Sequence, residues 1–205
     1  VGKVAENRID AFLNGIRYNP IIPAVRSEDK ALDTALAGEY HAAVFVLGGD
    51  IFELLRKLEA VDKRPPVCVN VDLAAGVAAD ASGVRFLAQH VEGIISTNRN
   101  IIELANAEGL ITVQRIFAID AGAVERGIKI VEKANPTLVE VLPALAYLQM
   151  VAQYQKMMSR PTLAGGLLQS MEEVTSILEG GASGVSTSYQ GLWRDVDPIQ
   201  YNEGS

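Results

Sequence analysis

TLAGGLLQSMEEVTSILEGGASGVST, residues 162–187, holds one complete structural unit and sets the reading of the rest of the chain. It opens on a short β-rich run, Thr162–Gly165, and breaks at Gly165-Gly166. Ser170 is followed three residues on by Glu173, the spacing of a capping box at a helix start. Met171, Val174, Ile177 and Leu178 then recur at helical spacing, so one face of the predicted helix is apolar. A second short run, Gly184–Thr187, follows. Strand, amphipathic helix and strand in that order argue for parallel strands joined by a crossover helix.

The same alternation extends toward the N-terminus. Ile21–Arg26, Ala43–Leu47, Val67–Leu73, Gly93–Thr97, Ile111–Ile119 and Leu138–Leu142 bring the short runs to eight, each nearly continuous in Val, Ile, Leu or Ala, as strands covered on both faces are. Ile51, Leu54, Leu55 and Leu58 mark one intervening helix, and Val124, Ile128 and Val131 another. Ser27-Glu28-Asp29 reads as the start of the first of them. Eight such units predict an α/β fold, a compact (β/α)8 TIM-type barrel over residues 19–194, with tight loops because 205 residues is short for that fold. A doubly wound open sheet is the alternative. It needs two edge strands, and none of the runs is polar or Pro-blunted enough to be one. Residues 1–18 carry Ile9, Phe12, Leu13 and Ile16 at helical spacing, which predicts an extra N-terminal helix that plugs the barrel bottom or packs on a partner subunit, so a homodimer is allowed. Residues 195–205 are polar and read as a frayed C-terminal tail.

Hydrophobic types make up 49% of the chain, enough for one sizeable core, which excludes the disordered and collagen-like classes. The 18 Lys and Arg stand against 25 Asp and Glu, net −7, so no global field draws in a polyanion and any nucleic-acid contact rests on a local patch. Arg56, Lys57, Lys63 and Arg64 are the dense basic cluster, and they read first as a helix end complementing the macrodipole. The lone Cys68 permits neither an intrachain disulfide nor a multi-cysteine metal site and suits a reducing, cytoplasmic setting. The apolar runs fall far short of the ~20 residues a membrane helix needs, so no membrane partner is expected.

In a barrel of this kind the site is assembled at the carboxyl ends of the strands. The polar residues there are Arg26, Gly48-Gly49-Asp50, Asp72, Ser96-Thr97, Gln114-Arg115, Glu140, Gly165-Gly166 and Ser186-Thr187-Ser188. Gly165 and Gly166 allow main-chain amides to approach a ligand without Cβ interference, and Ser186, Thr187 and Ser188 offer amides and hydroxyls, so a phosphate is expected at the seventh and eighth ends. Arg26 and Arg115 can grip an anion bidentately. Asp72 and Glu140 either pair with those arginines or accept hydrogen bonds from ligand hydroxyls, chemistry that suits a small polyol phosphate. Asp50 reads as an N-cap and Asp80 as either a cap or a contact. The lysines (Lys3, Lys30, Lys57, Lys63, Lys129, Lys133, Lys156) lie in helical stretches, flanks or turns, where no Schiff-base chemistry is served. His41 and His90 precede strands and fall on the opposite face. No metal or cofactor motif is present, and no catalytic residue is assigned, because the mouth is built to hold an anion more than to transform it.

These motifs resemble, as a set, the glycerol-3-phosphate-responsive antiterminators that control glycerol uptake operons in bacteria. The resemblance spans residues 19–194 and rests on Ile21-Ile-Pro-Ala-Val-Arg26, Val71-Asp72-Leu73 with Gly76, Gly93-Ile-Ile-Ser-Thr97, Gln114-Arg115-Ile-Phe117 with Asp120, Val139-Glu-Val-Leu-Pro143, Leu163-Ala-Gly-Gly166, and Ser186-Thr-Ser188 with Leu192-Trp193. Two positions depart from the pattern: Asn98 follows Ser-Thr where a basic residue is common, and Ala144 follows Leu-Pro where Gly is usual. The resemblance implies a barrel that binds glycerol 3-phosphate and, when loaded, engages leader mRNA so that transcription passes a terminator. The phosphate is then expected on Gly165, Gly166, Ser186, Thr187 and Ser188 with Arg26 or Arg115, and the glycerol hydroxyls on Asp72 and Glu140. Two alternatives stay open. One is an isomerase- or lyase-type barrel enzyme on a sugar or triose phosphate with Asp72 or Glu140 as base; the other is a member that kept the pocket and lost RNA binding.

Overall fold

The computed structural model describes residues 2–39, 41–154 and 159–193. Eight strands, β1 (Ile21–Val25), β2 (Val44–Val46), β3 (Val67–Asn70), β4 (Gly93–Ser96), β5 (Ile111–Phe117), β6 (Leu138–Leu142), β7 (Thr162–Gly165) and β8 (Gly184–Thr187), close into a parallel barrel in which each pairs with its sequence neighbours and β8 returns to β1. The closed barrel thus replaces the open-sheet alternative. Helix α1 (Gly2–Tyr18) precedes it. The outer layer is α2 (Ala31–Leu36), α3 (Ile51–Glu59), α4 (Ala81–Leu87), α5 (Arg99–Ala107), α6 (Ala121–Ala134), α7 (Ala144–Tyr154) and α8 (Met171–Glu179), and a single 3-10 turn, Gln190–Leu192, follows β8. Among the described residues no helix is long and apolar enough to cross a membrane.

Alternation along each strand divides the core in two. Val44, Val46, Val67, Val69, Val139, Val141, Ala164 and Val185 face outward and pack with the helices. Ile22, Ala24, Phe45, Cys68, Ile95, Ile111, Val113, Leu138 and Leu163 face inward and fill the lower barrel. Phe12 and Ile16 of α1 join this inner cluster at 2% exposure each, so the first helix is the plug at the barrel bottom. The expected tail at residues 195–205 lies outside the described residues.

Three strands, β6, β7 and β8, have the expected bounds; β3 and β5 are shorter than their apolar runs. β3 stops at Asn70 because the chain turns there: Leu73 N–H donates to Asn70 O at 3.3 Å and Asp72 N–H to Asn70 Oδ1 at 3.1 Å. The first crossover helix also starts later than Ser27-Glu28-Asp29 suggests. Asp29 Oδ2 accepts from Arg26 N at 2.9 Å, which makes a turn, and α2 begins at Ala31 behind Lys30, which supplies no side-chain cap. The capping box at α8 is present, with Ser170 and Glu173 satisfying each other's amides. Asp50 caps α3 and Asp80 caps α4, which decides the two alternatives for Asp80 in favour of a cap.

Since Phe12 is buried in the barrel bottom, Phe12→Ala is expected to destabilise the protein by about 3–5 kcal/mol. Urea unfolding followed by circular dichroism measures this; a loss below about 1 kcal/mol would mean that the plug adds little.

Candidate functional site

Glu140 sits midway along β6, fully buried, and points into the barrel. Its Oε2 accepts from Arg115 Nε and Nη2, both at 2.7 Å, and its Oε1 accepts from Ser186 Oγ at 2.5 Å. A single carboxylate thereby ties β5, β6 and β8 together and satisfies a guanidinium that is itself only 7% exposed. The β6 carboxylate reaches β8 past β7 because Gly165 has no side chain. A Cβ there would collide with Ser186 Oγ and lie 2.8 Å from Glu140 Oε1. Gly165 is thus demanded by the buried network as well as by any ligand above it.

The chain after β7 carries two successive left-handed residues, Gly166 at φ +81° and Leu167 at φ +63°. The second is unusual for a residue with a Cβ and holds the loop in a shape it would not adopt alone. Gly166 N–H donates to Ser186 O at 3.3 Å and extends the sheet. Thr187 Oγ1 donates to Leu168 O at 3.1 Å and accepts from Tyr189 N at 3.1 Å, so this hydroxyl latches the loops after β7 and β8 to each other. Trp193 Nε1 donates to Thr187 O at 2.8 Å and fixes the following turn. Among the described residues the amides of Leu167, Leu168 and Ser188 have no acceptor. The neighbouring α8 N-terminus differs: Glu173 Oε2 accepts from Gln169 N at 2.9 Å and Ser170 N at 3.1 Å, and these bonds hold its carboxyl below the usual range.

The other expected residues stand on the rim, each with a partner. Arg26 is half exposed, its Nε 2.6 Å from Glu28 Oε1, and this contact is the main reason the Glu28 carboxyl lies below its ordinary value. Asp72 accepts from Ser96 Oγ at 2.5 Å, Thr97 N at 2.7 Å and Thr97 Oγ1 at 2.8 Å, which clasps the end of β3 to the end of β4. Ser188 is exposed beyond β8. The structure therefore gathers Arg115, Glu140, Gly165 and Ser186 in one network with Gly166 at its edge, and leaves Arg26 and Asp72 in separate contacts. His41 lies toward the opposite face, its ring nitrogens at 3.1 Å from Ala35 O and 3.3 Å from Trp193 O.

The strand-end survey gave Gln114 no role and missed Asn70. Gln114 is buried, its Nε2 donating to Ser96 O, Thr97 O and Arg115 O, while its Oε1 is sealed from solvent without a partner. Asn70 faces inward one layer above Cys68 at 2% exposure. A polar residue inside the apolar run Val67–Leu73 was the available signal for it. Cys68 itself is inert, since burial pushes its thiol far up. Around all of these, the mouth carries exposed apolar side chains: of the nine large hydrophobic side chains exposed among the described residues, eight (Phe52, Leu73, Phe117, Ile119, Leu145, Leu167, Met171, Tyr189) lie at or beyond strand ends on this face, and Tyr18 does not. Such clustering marks an interaction surface.

Comparison with known proteins places this geometry. Residues 21–193 match the family described as glycerol-3-phosphate responsive antiterminator. The chain is 27% identical over 186 residues to YgcP, an uncharacterized protein of Escherichia coli (strain K12), covering 89% of this chain and 95% of that one. It is similar to the crystal structure of a glycerol uptake operon antiterminator regulatory protein from Listeria monocytogenes str. 4b F2365, with a TM-score of 0.74 and 28% identity over 86% of this chain and 96% of that one. A glycerol uptake operon antiterminator-related protein from Thermotoga maritima MSB8 gives a TM-score of 0.73 and 31% identity over 85% and 97% of the respective chains.

Removing one partner of the buried pair strands the other, so Glu140→Ala is expected to cost about 3–5 kcal/mol of stability. Replacing both, Arg115→Met with Glu140→Leu, should recover most of that loss. Chemical denaturation of the two variants beside the parent checks the pair, and equal stability of parent and Glu140→Ala would show that the network is not formed.

Proposed function

The chain belongs to the glycerol-3-phosphate responsive antiterminator family, and from that premise we propose that it senses glycerol 3-phosphate at the barrel mouth and acts on the leader mRNA of glycerol-uptake genes. The observation that carries the ligand half is the set of main-chain amides of Leu167, Leu168 and Ser188, which stand without acceptors beside the glycine-opened wall at Gly165 and Gly166. Unengaged main-chain amides bind a phosphoryl group without a formal positive charge, and the ends of the seventh and eighth strands are where barrels of this kind most often hold phosphate. Arg115 lies directly below. Its Nε and Nη2 are spent on Glu140, and Nη1 has no partner among the described residues, so one guanidinium edge is left to the ligand.

The enzymatic alternative is less well supported. A general base needs a free lone pair within reach of a proton. Both oxygens of Glu140 accept hydrogen bonds inside the barrel wall, and both oxygens of Asp72 accept from Ser96 and Thr97. Neither carboxylate has an oxygen free of such bonds, so protonating either one weakens contacts that hold the mouth together.

For the RNA half, the support is family membership. With a net charge of −7 the whole-protein field opposes a polyanion, so affinity has to come from a few local contacts and from bases more than from the backbone. The apparent affinity for a glycerol-operon leader should therefore fall only gently with salt.

Two measurements test this reading. Isothermal titration calorimetry is expected to show saturable binding of glycerol 3-phosphate, lost at least about tenfold in Gly166→Val, where a branched side chain is forced into left-handed backbone beside the amides. Filter binding of the leader transcript is expected to require the ligand. Unchanged ligand affinity in the variant would reject the seat, and no RNA retention at low salt with ligand present would reject the antiterminator role.

A further inference from the structure

Resting on the ligand seat just described, we propose that Asn70 reads the far end of the ligand and that the site selects a phosphate monoester with a hydroxylated, uncharged tail over one whose tail is a carboxylate or a second phosphate. The strand order places β3 four positions from β7 in either direction round the barrel, so Asn70 stands on the wall opposite Gly165 and Gly166. On the β7–β8 side the wall offers main chain, Gly165 and a serine already bound to Glu140, with the Leu142 side chain packed beside the two glycines. A ligand seated there by its phosphoryl group extends toward Asn70.

The Asn70 side chain is oriented for that contact. Its Oδ1 accepts from Asp72 N–H at 3.1 Å, which fixes which amide atom is which and turns Nδ2 the other way. Nδ2 has no acceptor among the described residues. It is not sealed off either, since Gln114 Oε1 is the one side-chain atom among the described residues that is both sealed and unpartnered. A donor on a residue 2% exposed that still meets solvent meets it through the mouth. A neutral donor recognises a hydroxyl oxygen.

Charge on the surrounding residues points the same way. Three arginines at the mouth are matched by glutamates: Arg26 with Glu28 at 2.6 Å, Arg99 with Glu103 at 2.7 Å, and Arg115 with Glu140 at 2.7 Å. A ligand with a second anionic group would bring that charge to a neutral asparagine above a wall whose buried guanidinium, Arg115, is already balanced by Glu140.

The test uses the full chain and calorimetric titration with glycerol 3-phosphate, 3-phosphoglycerate and inorganic phosphate. The parent is expected to prefer glycerol 3-phosphate to 3-phosphoglycerate by at least about 100-fold. Asn70→Ala should weaken glycerol 3-phosphate about tenfold, the usual worth of one ligand hydrogen bond, while inorganic phosphate stays within about twofold. Asn70→Asp keeps the acceptor for the Asp72 amide but replaces the donor with a carboxylate, and should weaken glycerol 3-phosphate further. Glycerol 3-phosphate affinity unchanged in both variants, equal losses for inorganic phosphate, or 3-phosphoglycerate bound as tightly as glycerol 3-phosphate would each overturn the inference while leaving the phosphate seat standing. A parent that binds neither glycerol 3-phosphate nor phosphate would overturn the seat and the inference together.

Discussion

An ionised carboxylate sealed inside a barrel is stable only if every lone pair facing the protein is met, and Glu140 is the residue on which that requirement falls. It is met from two sides, by Arg115 of β5 and by Ser186 of β8. The geometry then propagates. β7 lies between the carboxylate and the serine, so it can place no side chain at that level, and Gly165 follows from the ion pair. With Gly165 in place β7 adds no side chain of its own to the upper wall, and the chain turns through Gly166 and Leu167, leaving the Leu167 and Leu168 amides without an acceptor among the described residues. One buried charge thus accounts for the open wall where the proposed ligand sits.

The barrel was legible in the sequence because parallel strands covered on both faces show as compact apolar runs. β6, β7 and β8 are bounded by Thr-Leu, Pro-Thr, Gly-Gly and Ser-Gly steps, and their ends could be read to the residue. β3 and β5 could not, since the residues past their ends, Val71 and Leu73 or Ala118 and Ile119, are as apolar as the strands themselves. The apolar rim of the mouth erases the usual contrast between strand and loop. Composition does not record that the chain turns on the Asn70 side chain.

The site was legible in its types and not in its pairings. Arginine and carboxylate at neighbouring strand ends announce either an ion pair or a ligand grip, and the choice depends on which way each side chain points. Ser186 and Thr187 illustrate this. They are adjacent, chemically alike and equally buried, yet alternation sends the first into the barrel toward Glu140 and the second outward to hold Leu168 and Tyr189. Asn70 is hidden by the same effect, because only its parity with Cys68 reveals that it looks into the mouth.

All the helices that follow strands in such a barrel point their N-termini at the mouth, so every one of them is a potential anion site. Most are already filled from within the chain. Asp50, Asp80 and Asp120 cap α3, α4 and α6, Asn98 caps α5, and Glu173 takes the amides ahead of α8. These caps set carboxylates on the rim at positions where an anion would otherwise settle; α2 lacks a side-chain cap, and the stretch after β7 and β8 also keeps main-chain donors open. A small anion can pass the rim and reach those donors at the cost of modest, screened repulsion. A polyanion lying across the mouth would meet several carboxylates at once. The charge layout therefore opposes a nucleic-acid backbone laid across the mouth more strongly than it opposes a single small anion.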